Sequence, residues 1–188
     1  TGRGYVSYEV TKGGVGARPI KDGINAIGGP LANQMNTPVE MLEMSFPLRV
    51  EEYSLIPDSG GAGRWRGGLA ARRAWRILHH DAHCTTCVER TVTAPPGLAG
   101  GQAGGAARTR LRLPDGSERP VPPKGAFIAP ADSVVVLDVP GAGGFGPPTE
   151  RDPALLQRDV TNGYVSPEAA SRDYGLEAAV PDAKETAR

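Results

Sequence analysis

The sequence predicts an α+β protein: a β-rich irregular body with glycine-rich loops and a short C-terminal two-helix tail. Three observations predict it. Gly (26) and Pro (18) are abundant among the 188 residues, so the chain turns often and spends little length on long helices. Short alternating or β-branched runs stand between the glycine clusters, the clearest being Ser133–Val139, SVVVLDV. After Pro148 the grammar changes to two successive helix starts of capping residue plus proline. The expected division is a body over 1–148, a tail over 149–176 and a frayed polar end over 177–188.

Taken in order, Gly4–Val10 (GYVSYEV) reads as the first strand. In NTPVEMLE, Thr37 caps a short helix, Pro38 takes its first position and Glu40, three residues after the cap, completes a capping box. Leu48–Ile56 is a strand that Pro57 ends. Arg72–Leu78 and Ala82–Arg90 read as two strands reversing near His80-Asp81. Arg108–Leu113 and Ser117–Val121 flank Asp115-Gly116, a hairpin signal. In the tail, Asp152 and Ser166 cap helices that begin at Pro153 and Pro167 and stop at Asn162-Gly163 and Tyr174-Gly175. Glycine clusters recur near positions 13, 60, 100 and 143 without a shared pattern between them, so they read as turns of one irregular β structure, not as repeats.

Composition excludes several functions. The 21 basic and 21 acidic residues cancel, which leaves neither a basic surface for nucleic acid nor an acidic tail. No apolar run approaches the roughly 18 residues of a membrane helix, and no signal peptide opens the chain. Two cysteines make no disulfide framework, so the expected compartment is the cytoplasm. The first residue is Thr1, not Met, as expected of a processed chain or a piece of a longer one.

Four motifs invite chemistry. Gly141–Gly146 (GAGGFG) satisfies G-x-G-x-x-G, but a dinucleotide site needs a helix opening at the third glycine, and Pro147-Pro148 stands there. His79–Cys87 (HHDAHCTTC) contains a ligand-like Cys84-x-x-Cys87, but no second Cys/His pair lies at a distance. On a strand those cysteines face opposite ways, so no metal site is expected. The tail resembles a helix-turn-helix, yet its second helix carries only Arg172 as a base. Asp58–Gly68 (DSGGAGRWRGG) admits two readings. It is an anion or substrate loop in which Arg64 and Arg66 present guanidinium forks, or a crossing in which Trp65 packs and both arginines pair with acids. The residues alone favour the second. Glu40 and Glu43 offer an acid–base pair, but capping explains Glu40 more simply.

The ordered set of blocks is more specific than any one of them. KGGVGARPIKDG is followed by NTPVEMLE and PLRVEEYSL, then by DSGGAGRWRGGLAARRAWR, by ER with PPGLAGG, and by VPGAGGFGPPTERDPALLQRDVTNGYVSPEAASRDYG. From about Tyr5 to Leu176 this resembles the C-terminal part of the B-type subunit of the hydantoinase B/5-oxoprolinase family. Pro147 departs from that pattern, standing where the family often has Asp, and the CxxC is not a family feature.

The resemblance implies an enzyme component that couples ATP cleavage to opening a cyclic amide such as 5-oxoproline or a hydantoin. Relatives instead carboxylate a ketone such as acetone or acetophenone with bicarbonate. An amide is a poor electrophile with a poor leaving group, and phosphorylating its carbonyl oxygen makes an imidate-like species that water attacks. ATP and Mg2+ are expected on an A-type partner subunit, and the family's metal ligands in an N-terminal B-type portion outside this sequence. The chain would then complete a substrate chamber and be inactive alone. Within the matched blocks the resemblance nominates Asp58, Arg64, Arg66 and Arg90 as catalytic, the arginines neutralising developing charge, and Asp22, Asn36 and Glu40 as substrate-binding. A non-catalytic assembly module is the alternative from another class.

Overall fold

The computed structural model describes residues 4–29, 32 and 34–175. The sequence elements that carried β-branched and alternating runs form two antiparallel sheets. The larger has strand order β1-β2-β7-β4-β5, with β1 Leu48–Leu55, β2 Ala71–Ile77, β4 Arg108–Arg112, β5 Glu118–Pro120 and β7 Val134–Asp138. The smaller pairs β3 (Ala82–Cys87) with β6 (Lys124–Ala129). The Asp115-Gly116 hairpin joins β4 to β5 as expected, with Gly116 at φ 84°.

The expected reversal between β2 and β3 does not form. Positive φ at His79 turns the chain out of the large sheet, and β3 finds its partner in β6, with Cys84 opposite Phe127. The gain is burial. The two-stranded ribbon lays Ala82, Cys84, Phe127 and Ala129 over Leu48, Ile77 and Leu111 of the large sheet and Val121 just past β5, closing an apolar core. On the opposite face Ala74, Val134 and Val136 form a small buried cluster with arginines on the flanking strand positions. There Arg72 and Arg110 both meet Asp138, at 2.7 and 2.8 Å.

Two further expectations are corrected. Gly4–Val10 forms no strand, because no strand of the described residues pairs with it. The first helix, α1, spans Val39–Ser45, and Thr37 does not cap it: the position before the helix is Pro38, without a side-chain cap. The Thr37 amide instead donates to Glu9 Oε1 at 3.4 Å, so Glu40 completes no box and sits exposed in the first turn.

The tail follows its caps. Asp152 accepts from the Ala154 amide at 2.8 Å to start α2 (Pro153–Thr161), and Ser166 accepts from the Ala169 amide at 3.1 Å to start α3 (Pro167–Tyr174). Gly175 at φ 72° closes α3. The end over 177–188 lies outside the described residues.

What joins sheet to tail is a bundle of glycine-rich segments. Gly13–Ala17, Ser59–Ala70, Pro95–Gly105 and Pro140–Gly146 run side by side and exchange backbone hydrogen bonds with several neighbours at once. Gly68 donates to Val15 O at 3.0 Å and accepts from the Ala142 amide at 2.9 Å, while Gly61 donates to Ala142 O at 2.8 Å. Gly144 donates to Gln102 O at 3.0 Å and Gly141 to Gly105 O at 3.0 Å. A Cβ on Gly67 would strike the carbonyl of Ala142, and one on Gly141 the carbonyl of Ser59. Glycine is therefore required for approach, not only for turning. α2, α3 and the turn between them pack Leu156, Val165, Ala169, Ala170 and Tyr174 against Ala62 of this bundle.

Candidate functional site

The glycine bundle, its loop Asp58–Gly68 and the tail converge on one buried cluster of charge. The turn bridging Arg18 and Lys21 delivers Asp22 to the side of the bundle, and the 3-10 turn Pro148–Glu150 delivers Arg151 opposite it. Arg151 is fully buried and donates bidentately to Asp22, Nη1 and Nη2 each at 2.8 Å, and from Nη2 to Asp159 of α2 at 2.6 Å. Arg66 donates from Nε to the same Asp159 oxygen at 3.1 Å, and its amide donates to Asp22 Oδ1 at 2.7 Å. Two acids and two arginines thus close a neutral ring, roofed by Tyr164 at 5.3 Å from Arg66 and Tyr174 at 5.9 Å from Arg151.

The ring's electrostatics follow. Burial acts to raise the Asp22 carboxyl, but the Arg151 guanidinium and the Arg66 amide outweigh it and hold Asp22 below the usual carboxylate range. Burial acts to lower Arg151, and Asp22 and Asp159 reverse that, raising it further above the ordinary arginine range. Burial pushes the Tyr174 phenol up to about 12. At neutral pH Asp22 and Arg151 are therefore charged and Tyr174 keeps its proton.

The nominated residues divide by location. Asp22 and Arg66 meet in the ring. Asp58, at φ 60°, closes the other end of the same loop, accepting from the Ser166 amide at 2.7 Å and donating its own amide to Tyr164 O at 3.1 Å. Arg64 is the exposed member, its side chain 57% accessible and its guanidinium 3.9 Å from Glu150. Asn36 belongs to a second cluster. It donates to Glu9 Oε2 at 2.9 Å and accepts from the Tyr53 hydroxyl at 3.2 Å, beside Arg73, which is wholly buried and pairs with Glu9 at 2.7 Å. Glu40 on α1 is exposed. Arg90, exposed and at φ 61°, stands apart and holds the Ala107 amide through its carbonyl at 3.0 Å.

Sequence reasoning missed Arg151, Asp159, Arg73 and Glu9. Arg151 lies directly before the legible Asp152-Pro153 cap, but nothing local tells an arginine beside a helix start that it will be buried. Asp159 stands on the face of α2 that carries Leu156, shortly before the helix stops. An acid on an apolar stripe is the signal that points to a buried partner.

Most backbone amides of the loop Asp58–Gly68 are engaged within the molecule. Its amides at Gly61, Arg64, Trp65 and Gly68 all donate to carbonyls of the bundle, and Arg66's to Asp22. The amides of Gly141, Ala142, Gly144, Phe145 and Gly146 are likewise taken. Among the described residues no group of three or more His, Cys, Asp or Glu side chains is placed to hold a metal ion. Cys84 and Cys87 take opposite faces of β3, one half-buried and one exposed. No helix of the described residues is long and apolar enough to cross a membrane.

Two packed antiparallel sheets, joined to a glycine bundle and locked by a helical tail, define the architecture. The hydantoinase B/oxoprolinase profile matches residues 1–148, and the chain belongs to that family. It is 31% identical over 174 residues to the B-type component of a putative D-/L-hydantoinase from a Pseudomonas species, covering 92% of this chain and 29% of that protein. It is 34% identical over 170 residues to the beta chain of the caprolactamase of Pseudomonas jessenii, covering 87% and 29%. The crystal structure of the ATP-dependent caprolactamase from that organism superposes with a TM-score of 0.76 at 32% identity, over 88% of this chain and 30% of that one. The acetophenone carboxylase delta subunit of Aromatoleum aromaticum is 27% identical over 202 residues, covering 90% and 29%. The chain thus spans about 30% of the length of these relatives.

Proposed function

We propose that the chain is a component of an ATP-dependent cyclic-amide hydrolase of the 5-oxoproline, hydantoin or lactam class, in which it completes a substrate chamber with an ATP-binding A-type partner. One observation carries the reading: the identity above 30% to a hydantoinase component and a caprolactamase component runs over 92% and 87% of the chain. ATP and Mg2+ belong to the partner on this reading, which accords with the internally engaged amides of the glycine loops. The cytoplasm, where ATP is available, is the compartment that fits.

Within the chamber the exposed candidates Arg64, Asp58, Arg90 and Glu40 are the ones free to meet substrate or a neighbouring subunit, with the less exposed Asn36 ranking after them. Asp22 and Arg66 act from beneath: they fix the loop on which Arg64 stands. A guanidinium on a rigid loop stabilises developing negative charge without reorganising, a contribution of about 2.7–4 kcal/mol when one such donor is removed from a catalytic site. The resemblance to a carboxylase component supports a second reading, ketone carboxylation, for which turnover depends on bicarbonate.

The test is lactam-dependent ATP hydrolysis by the complete complex with wild-type chain and with Arg64→Ala. The expected result is turnover lowered about 100-fold or more in the variant with assembly intact. Unchanged turnover in an intact assembly would favour the assembly-module alternative, and no activity on any lactam or hydantoin without bicarbonate would favour carboxylation.

A further inference from the structure

The exposed apolar side chains are distributed unevenly. Ten of the thirteen large exposed hydrophobics of the described residues precede Ser54, the other three being Val92, Leu98 and Ile128. All three methionines of the chain are among the ten. Their placement is ordered. Along the unpaired segment Gly4–Val10, Tyr5 stacks on Phe46 at 5.6 Å, and Glu9 reaches Arg73 and Asn36, so the segment runs antiparallel to the stretch from Asn36 to Phe46 that contains α1. Between those anchors Val6 and Tyr8 remain 88% and 80% exposed. Met35, flanked by Gln34 held on Lys12 and by Asn36 held on Glu9, is 94% exposed. On α1 Leu42 turns inward at 1%, while Met41 and Met44 point out at 56% and 84%.

This is a flank with the composition of an interface core, rich in methionine and tyrosine, left in water. It also carries a segment whose sequence pattern is that of a strand but which no strand of the described residues pairs. Among the described residues, of its backbone only the Val10 carbonyl takes a hydrogen bond, from Asn36, which leaves the rest of its backbone donors and acceptors for a partner. The hydantoinase and caprolactamase components that match this chain extend to about three times the matched length, so about 70% of such a protein lies outside it.

We infer that Gly4–Val10 and the outward face of α1 form the docking surface for the remaining portion of a B-type subunit, which adds a strand to Gly4–Val10 and covers Val6, Tyr8, Met35, Met41 and Met44. The inference rests on the family reading above but not on catalysis. The test is to place benzoylphenylalanine at position 44, and separately at position 8, and to irradiate the complete complex. The expected result is crosslinks to the remaining B-type portion, with amides of Gly4–Val10 protected from exchange at least 10-fold relative to the chain alone. Tyr8→Asp with Met44→Asp should weaken assembly at least 10-fold. Because both side chains are exposed, the thermal midpoint of the isolated variant should match that of the wild-type chain. Crosslinks to the A-type subunit or to a second copy, or no protection, would overturn it. A complex that crosslinks as expected but hydrolyses no lactam removes the functional proposal and leaves the interface.

Discussion

Arg151 is the residue on which the greatest number of separate parts depend. It holds Asp22 from the first glycine segment, Asp159 from α2 and the carbonyl of Arg64 from the loop between them. Breaking a buried ion pair by removing one partner leaves an uncompensated charge and costs about 3–5 kcal/mol. Arg151→Met should therefore lower stability by that amount, read as a fall of about 10 °C in thermal midpoint for a chain of this size. The ring also sets an acid limit. Glu9, Asp22 and Asp138 are each held below their ordinary range; the raising effect of burial is outweighed at Glu9 by Thr37, Asn36 and Arg73, at Asp22 chiefly by Arg151, and at Asp138 by Arg72 and Arg110. In the unfolded chain such groups titrate near 3.9–4.3. Their stabilisation is therefore complete above about pH 5 and is lost as pH falls through the lower folded values. Asp22→Asn should be less stable at pH 7 and should show a shallower loss of stability between about pH 4 and 2 in denaturant titrations. A variant with an unchanged acid slope would show that Asp22 has no part in the acid limit.

At the scale of elements, the pieces with local grammar were legible and those fixed by long-range pairing were not. The caps Asp152 and Ser166, the Asp115-Gly116 turn and the β-branched run of β7 each carry their instruction within a few residues. The β2–β3 reversal misled because proximity in sequence favours a hairpin, whereas burial of Cys84 and Ala82 over Leu48 and Ile77 favoured β6 as the partner. The nominated site was legible in part for the same reason. Asp22 and Arg66 lie in recognisable blocks, but the base and acid that complete their ring come from 129 and 93 residues away. Glycine clusters read as turns because sequence shows permissiveness, not neighbours; only the assembled bundle shows carbonyls occupying the space of a missing Cβ. Gly67→Ala puts a methyl against the Ala142 carbonyl, backbone that cannot rotate away, so its cost should reach or exceed the upper end of the about 1–3 kcal/mol seen for overpacking. Gly29→Ala, where nothing lies within 4 Å, should stay within about 0.5 kcal/mol. Equal unfolding midpoints for the two variants would show that the bundle yields where its carbonyls stand closest.

At the scale of the molecule, the boundary suggested by composition and the one set by energetics differ. Sequence grammar changes at Pro148, and the family profile stops there too. The packing does not. Residues 149–175 contribute Leu156, Val165, Ala169, Ala170 and Tyr174 to the cluster that buries Ala62, and they supply Arg151 and Asp159 to the ring. Ending the chain at Pro148 removes one acid and one base together. Asp22 and Arg66 then remain, linked through the Arg66 amide rather than through their charges, each having lost its guanidinium or carboxylate partner. The same cut leaves Asp58 without the Ser166 amide and uncovers the flank of the loop Asp58–Gly68. Loss of an apolar layer and of two buried pairs exceeds the margin of a typical domain, about 5–15 kcal/mol, or consumes most of it. Chain ended after Pro148 should accordingly show no cooperative thermal transition, while the chain through Gly175 melts in one step by circular dichroism and by the fluorescence of Trp65. A truncated chain that keeps the full midpoint would mean that the tail is an appendage, and that the loop bearing Arg64 is held by the bundle alone.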